Sequence, residues 1–414
     1  TTFLAIGTLI FAKHPALKSI ASVSLIGIFS ALLLTFVFYP SLFKFFISRR
    51  PEKGLSPISL RIFVNAILSI TYYVVFSIIL SNIGWLLLKI FPKRKTLWLR
   101  TLAAKLTTSV PFVRKRVENP LKIDFSKPSV MIANHSSWLD TLAIGMLTPR
   151  VSYMVNDWVY HSIVFGRYVQ AMDFYPASEG IEKGMPIFAK NFVNGYSAMI
   201  FPEGKRSESN VIHRFHKGAF VVAEHFKKPL TLVYIHGNSE VQPKGDFVIY
   251  DGSITVVATE QIAPDDPRFG SSPRERAKAI GKYFREQFSL LRQRIEGEDY
   301  LKKKLFLSYL YKELYIVDAV RADFKKRKGQ YHRLSLVLPL EGIILHWADD
   351  YGQADFLWLL THPQRTLITI IADDHKRAIA QQSYLTRIRK IQYYKELPEG
   401  VSYDWEVDTR EGKE

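Results

Sequence analysis

His135 and Asp140 stand five residues apart at the end of the stretch Ser-Val-Met-Ile-Ala-Asn-His-Ser-Ser-Trp-Leu-Asp, residues 129–140. A carboxylate that holds one imidazole nitrogen leaves the other free to take a proton from a hydroxyl or an amine, the base-plus-orienter arrangement of acyl transfer. The spacing restricts where such a pair can sit. In one regular helix, positions five apart point about 140° away from each other, so His135 must lie just outside the helix that carries Asp140. The β-branched apolar run 130–132 predicts a buried strand, and Ser136 or Ser137 is a natural N-cap for a helix from about Trp138 to Leu147. The pair is therefore expected at a strand-to-helix junction.

A second block, residues 196–207, reads Tyr-Ser-Ala-Met-Ile-Phe-Pro-Glu-Gly-Lys-Arg-Ser. Another apolar strand ends there in a Pro-Glu-Gly turn that carries Lys205 and Arg206, with Gly204 permitting close approach of the backbone. Such a turn can present a carboxylate and two cations to a phosphate-bearing substrate.

Together the two blocks resemble the glycerophospholipid acyltransferase family, the lysophosphatidate acyltransferases and their relatives. The family's signatures are Asn-His-x-Ser-x-x-Asp and Phe-Pro-Glu-Gly-Thr-Arg-Ser, and the resemblance spans about residues 95 to 260. It implies His135 as general base and Asp140 as its orienting partner. It also implies substrate contacts from Asn134, Glu203, Gly204, Lys205, Arg206 and Ser207, with Lys217, in a Lys-Gly-Ala run, as a further source of positive charge. No metal and no bound cofactor are expected; acyl-coenzyme A or an acylated carrier protein is the expected co-substrate. The sequence departs from the family at two points. Pro176 and Ala177 stand where an arginine normally holds the acceptor phosphate, leaving Arg167 or Lys183 as substitutes, or an acceptor without phosphate. A proline usual near Tyr234 or Ile235 is also missing.

The elements that must position these residues follow from composition. The chain has 414 residues, a formal net charge of +18, 48% hydrophobic residues and no cysteine. Disulfides and cysteine-bound metals are thereby excluded. The basic excess suits nucleic acid or anionic lipid, and the apolar runs beside it favour lipid over nucleic acid. Opening Thr-Thr in mid-pattern, the sequence reads as a segment of a longer protein. Residues 19–43 form an uncharged run long enough to span a bilayer, ending in Phe-Tyr-Pro-Ser-Leu-Phe before a basic loop with Lys44, Arg49, Arg50 and Lys53. This region resembles the last two transmembrane helices of a lipid exporter of the resistance-nodulation-division superfamily; a simple two-helix anchor is the other reading. By the positive-inside tendency, the basic loop and the catalytic part face the cytoplasm of a bacterial inner membrane.

Residues 60–91 are apolar between two basic flanks. They are expected to form a re-entrant or interfacial helical hairpin bending at Asn82 and Gly84; the alternative is one long tilted helix, which would put the catalytic face on the opposite side of the membrane. In the C-terminal third, residues 336–374 are similar to the opening of a class I S-adenosylmethionine methyltransferase. Its glycine-rich loop is reduced to His346-Trp347-Ala348-Asp349-Asp350-Tyr351-Gly352, and Asp373 stands in for the acid of the second strand. With about three strand signals, the module reads as degenerate and non-catalytic.

The expected fold is α/β and membrane-associated. Transmembrane helices occupy 1–50, the hairpin 51–95, an acyltransferase domain with a mixed sheet 96–300, and a partial Rossmann-like module 301–414. The expected function is a membrane-bound acyltransferase acting on a lysophospholipid-like acceptor, with membrane lipids and an exporter domain in cis as partners. A catalytically silent regulatory tail of an exporter is the alternative.

Overall fold

In the computed structural model, residues 2–91, 101, 105, 113–164 and 166–410 are described. The chain divides into two units, one made of residues 1–59, 303–360 and 364–414, the other of 60–302 with 361–363. The division differs from the expected one: residues 51–59 fall with the C-terminal module, and the second apolar helix opens the other unit.

In the first unit, the helix Pro15–Glu52 (α1) is 38 residues long, about 57 Å at 1.5 Å per residue. Pro15 occupies the first turn, where a missing N–H is harmless, and His14 Nδ1 accepts from Ala16 N at 3.3 Å. The chain stays helical through Pro40. The backbone widens into π turns at Leu34–Phe38 and Lys44–Ser48 and remains helical through Arg49 and Arg50. A π turn before Pro40 relieves the clash of its ring with the preceding turn, so the basic cluster ends a helix instead of forming a loop.

The second unit starts with the helix Leu60–Ile90 (α2), 31 residues and about 47 Å. The expected hairpin is corrected here: α2 is uninterrupted. Asn82 turns its amide back to Ile78 O at 2.8 Å, and one glycine weakens a helix by only about 1 kcal/mol, too little to bend so apolar a run. Both α1 and α2 are long and apolar enough to cross a membrane. Within its own unit, α2 is held at Tyr73, whose ring centroid lies 4.7 Å from that of Trp138, and at Trp85, 5.4 Å beneath the Arg167 guanidinium.

The same unit holds a seven-stranded sheet of Val113–Glu118 (β1), Val130–Ala133 (β2), Val151–Val155 (β3), Tyr175–Pro176 (β4), Ser197–Ile200 (β5), Leu230–His236 (β6) and Gly252–Ile262 (β7). The spatial order is β1-β7-β6-β2-β5-β3-β4, with only β6 and β7 antiparallel. Strands β2, β5 and β6 are buried at every residue because both sheet faces are covered, which explains their unbroken apolar sequences. One face carries Ile132, Phe220, Leu232 and Phe284, the other Met131, Leu139, Ile235 and Val256. Helices Asp140–Leu147 (α3), Gly180–Val193 (α4), Gly218–His225 (α5), Asn238–Val241 (α6) and Pro273–Ile295 (α7) connect or cover the strands. Residues 247–250 form no strand.

The first unit is completed by the helix Leu314–Val337 (α8), strand Gly342–Ala348 (β8), helix Gln353–Thr361 (α9), strand Arg365–Ile371 (β9), helix Asp374–Gln381 (α10) and strands Lys390–Tyr394 (β10) and Trp405–Asp408 (β11). Four parallel strands run β10-β9-β8-β11, one more than the sequence indicated. The extra strand, Trp-Glu-Val-Asp, lies at the sheet edge and lacks an apolar run. Tyr311 Oη donates to Ile58 O at 2.8 Å, tying the segment after α1 to this module.

The acidic loop after β8 serves the fold. Asp350 accepts from Gly352 N at 2.8 Å and Ala354 N at 3.4 Å, and Asp373 caps α10 by accepting from Lys376 N at 2.9 Å. Gly352, at φ +87°, has no room for a Cβ: one would lie 2.9 Å from Tyr393 Oη and 3.0 Å from Ala380 Cβ. Packing therefore accounts for the surviving glycine. Beside it, fully buried His346 lies between Asp355 Oδ1 at 2.7 Å and Thr409 Oγ1 at 2.8 Å.

Candidate active site

Two neighbouring parallel strands, β2 and β5, end side by side, and the loops after them carry both sequence blocks. Strand β2 stops at Ala133, the chain turns through 134–139, and α3 begins at Asp140. The expected serine N-cap is replaced. Leu139 occupies the cap position, while the Asp140 carboxylate folds back to accept from Ser136 N at 2.6 Å and Ser137 N at 2.9 Å. A carboxylate in a helix's first turn is favoured by the backbone N–H groups and the dipole there.

That turn brings His135 Nδ1 to 2.8 Å from Asp140 Oδ2. Asp140 is fully buried and already accepts two backbone N–H bonds, so it is the acceptor and Nδ1 carries the proton. Nε2 is left with its lone pair and has no partner among the described residues. The His135 side chain keeps 17% of its surface accessible and stacks on the Phe201 ring at 4.1 Å, 16° from parallel. The ring is thus fixed in plane and orientation with one nitrogen open.

Several expected substrate contacts belong instead to the scaffold. Asn134 is buried: its amide donates to Ile235 O at 2.8 Å and accepts from Ile235 N at 2.9 Å, bridging β2 to β6. Ser207 N donates to His135 O at 2.8 Å, and Ser207 Oγ donates to Ser209 O at 2.6 Å. Glu203, 2% exposed, accepts from His135 N through Oε1 and from His213 N through Oε2, both at 2.7 Å. These polar atoms are engaged by backbone because two loops leaving a parallel sheet must satisfy each other's N–H and C=O groups. Burial pushes the Glu203 carboxyl up to about 7, with Asp140 adding to the rise; the two N–H donors and Arg285 oppose it.

The cations remain outside. Gly204, at φ +69°, makes the turn and is exposed, and a Cβ on it would come 3.3 Å from the His216 ring. Lys205 and Lys217 are exposed and Arg206 half-buried; none of them has an ion-pair partner among the described residues. Lys217 stands at the N-cap of α5. At the departure from the family pattern, Pro176 ends strand β4, and Arg167 lies over Trp85. Among the described residues, no group of acidic and imidazole side chains is arranged to hold a metal ion.

Sequence reasoning missed the segment after β6. Asn238 Nδ2 donates to Asp140 Oδ1 at 2.5 Å, and Ser137 Oγ donates to Gln242 Oε1 at 2.7 Å. About a hundred residues of chain separate these partners, so the only local signal was Gly237, a punctuation mark after an apolar strand.

The arrangement is an imidazole with one open nitrogen, a buried carboxylate on its other nitrogen, and cations on the neighbouring loops. Residues 113–236 match the family model described as Acyltransferase.

Particular relatives carry a more specific description. The chloroplastic 1-acyl-sn-glycerol-3-phosphate acyltransferase BAT2 of Brassica napus is 24% identical over 172 residues, covering 38% of this chain and 49% of that protein. The chloroplastic LPAT1 of Arabidopsis thaliana, of the same description, is 25% identical over 172 residues, covering 38% and 47%. The 1-acyl-sn-glycerol-3-phosphate acyltransferase of Cocos nucifera is 27% identical over 158 residues, covering 36% and 51%. The chain thus spans about half the length of these curated relatives. The crystal structure of the 1-acyl-sn-glycerophosphate acyltransferase PlsC from Thermotoga maritima aligns with a TM-score of 0.48 and 18% identity, covering 57% of this chain and 98% of that one.

Proposed function

We propose that this chain is a membrane-bound acyltransferase that moves a fatty acyl group from a thioester, acyl-coenzyme A or acylated carrier protein, to the hydroxyl of a lysophosphatidate-like acceptor. The observation that carries the reading is the open Nε2 of His135, whose other nitrogen is held 2.8 Å from the buried Asp140 carboxylate. Nε2 takes the proton of the acceptor hydroxyl as its oxygen attacks the thioester carbonyl. The C–O bond forms, the C–S bond breaks as the tetrahedral intermediate collapses, and the proton passes from the imidazolium to the departing thiolate. Asp140 keeps the ring in the productive tautomer and balances the imidazolium charge.

Lys205, Arg206 and Lys217, without ion-pair partners among the described residues, meet the phosphate of the acceptor or of the donor. The description of the relatives as 1-acyl-sn-glycerol-3-phosphate acyltransferases supports a phosphate-bearing acceptor. The apolar helix α2, in contact with Trp138 through Tyr73, supports a site beside a lipid phase. The preceding helix α1 fits the reading that an exporter domain lies in cis, and the order β10-β9-β8-β11 fits a Rossmann-like remnant.

The test is thiol release from long-chain acyl thioesters, with mass spectrometry of the lipid product. Wild type acylates lysophosphatidate, and His135→Ala, folded and membrane-bound, does not. Full activity in that variant, or none in wild type across a panel of acceptors, overturns the proposal.

A further inference from the structure

The buried Asp140 carboxylate accepts from four donors on its two oxygens. Oδ2 takes Ser136 N, Ser137 N and His135 Nδ1; Oδ1 takes the Asn238 amide at 2.5 Å. Asn238 is 1% exposed, and its own Oδ1 is buried without a hydrogen-bond partner. An orphaned buried carbonyl is unfavourable. Rotating the amide would point that carbonyl at a carboxylate, so the donor must face Asp140 and the orphan is the consequence.

The position of Asn238 is over-determined. Strand β6 ends at His236, fully buried, with Nε2 at 2.9 Å from Glu296 Oε1. Arg292 grips the same carboxylate from one turn earlier, at 2.7 and 2.9 Å. Although burial opposes ionisation of Glu296, Arg292 and His236 hold it down to about 2, so the brace keeps its charge. Gly237 then turns the chain at φ +91°, where a Cβ would lie 1.9 Å from Ser253 O. Asn238 opens α6, and Gln242, four residues on, holds Ser137 at 2.7 Å. The two amides therefore grip both ends of the 137–140 turn from one short helical segment.

We propose that Asn238 is a positioning residue for the His135–Asp140 pair, fixing the Asp140 carboxylate so that only Oδ2 faces the imidazole. This rests on the acyltransferase reading above. A neutral amide suits the place because it donates without adding charge; Glu203 already feels the Asp140 charge, with Arg285 opposing it.

The test uses the full-length membrane-bound chain with Asn238→Ala and Asn238→Asp beside His135→Ala, each checked for folding by thermal melting. In Asn238→Ala, kcat for thioester-dependent acylation falls about 10- to 100-fold while KM for both substrates stays within about twofold, the split expected when a general base is misaligned and binding is intact. A second measurement does not depend on turnover. Diethyl pyrocarbonate acylates neutral imidazole, and peptide mass spectrometry follows its reaction at His135 against pH. In Asn238→Ala the profile moves to higher pH, since the Asp140 carboxylate loses its Oδ1 donor and favours the imidazolium more; in Asn238→Asp the shift is smaller, since two carboxyls at hydrogen-bond distance share one proton.

An unmoved His135 profile in both variants, or wild-type kcat in Asn238→Ala while His135→Ala is dead, overturns the assignment and leaves the function standing. Absence of acyl transfer in wild type overturns the function, and the His135 profile still decides the role of Asn238.

Discussion

Glu203 and His135 are joined through the backbone: the carboxylate of one accepts the main-chain N–H of the other at 2.7 Å, and its second oxygen accepts from His213 N at the same distance. The Pro-Glu-Gly turn therefore holds the His135 loop from behind. Because burial raises the Glu203 carboxyl to about 7, the folded state holds a proton there that the unfolded chain releases near 4.5. Its protonation thus stabilises the fold below about 4.5, and that contribution is lost as pH rises through about 7, at most about 3 kcal/mol over the window. Melting curves of wild type should show a fall in Tm across this range that is absent in Glu203→Gln. At pH 8 the same substitution, which turns an amide N–H against one of two backbone donors, is expected to lower kcat more than it raises KM.

Asp140→Asn keeps the shape of the side chain and removes its charge. Its NH2 group must then face either the Asn238 amide or the Ser136 and Ser137 N–H groups, and the imidazole loses the partner that fixes its tautomer. A drop in kcat of about a thousandfold or more is expected, by analogy with loss of the carboxylate in other oriented imidazole bases. Steady-state kinetics at saturating thioester check it; an effect confined to KM would contradict the role given to Asp140.

Arg206→Ala and Lys217→Ala separate binding from chemistry. Neither cation has an ion-pair partner among the described residues, so truncation leaves no buried charge behind and is expected to change Tm by under about 1 kcal/mol equivalent. Each should raise KM for a phosphate-bearing acceptor by about tenfold with kcat little changed. Acceptors with and without the phosphate, assayed side by side, identify which substrate the cations meet.

Gly237→Ala tests the turn after β6. A methyl group there collides with Ser253 O at 1.9 Å, and the residue must keep φ near +91°. The left-handed conformation alone costs about 1–2 kcal/mol for a residue with a Cβ. A lower Tm and loss of activity are expected together, in contrast to the activity-only effect at Asn238.

In the C-terminal module, Arg365 is fully buried and donates to Ser335 O at 2.7 Å, Leu338 O at 2.9 Å and Pro339 O at 2.8 Å, closing the end of α8. Arg365→Ala strands those carbonyls and opens a cavity, and a loss of about 3–5 kcal/mol is expected from such a buried, multiply bonded charge. Urea melts followed by Trp fluorescence measure it.

The amino-acid order by itself determined the strands β2 and β5, whose unbroken apolar runs, such as Val-Met-Ile-Ala, suit a buried strand. It also determined that His135 and Asp140 meet at a strand's end, since a five-residue spacing closes only across a turn. Local order could not decide which polar side chains face substrate. Asn134, Glu203 and Ser207 looked like ligands by type, yet each satisfies backbone groups of a loop brought beside it by the sheet. Asn238 looked like nothing in particular until β6 was laid next to β2. The hairpin expected within 60–90 failed for the complementary reason: flanking charges suggest where a segment's ends lie, but whether the backbone bends is set by hydrogen bonds inside the helix. Tertiary structure decided these points because a hydrogen bond depends on distance in space, and partners a hundred residues apart leave no shared period in the chain.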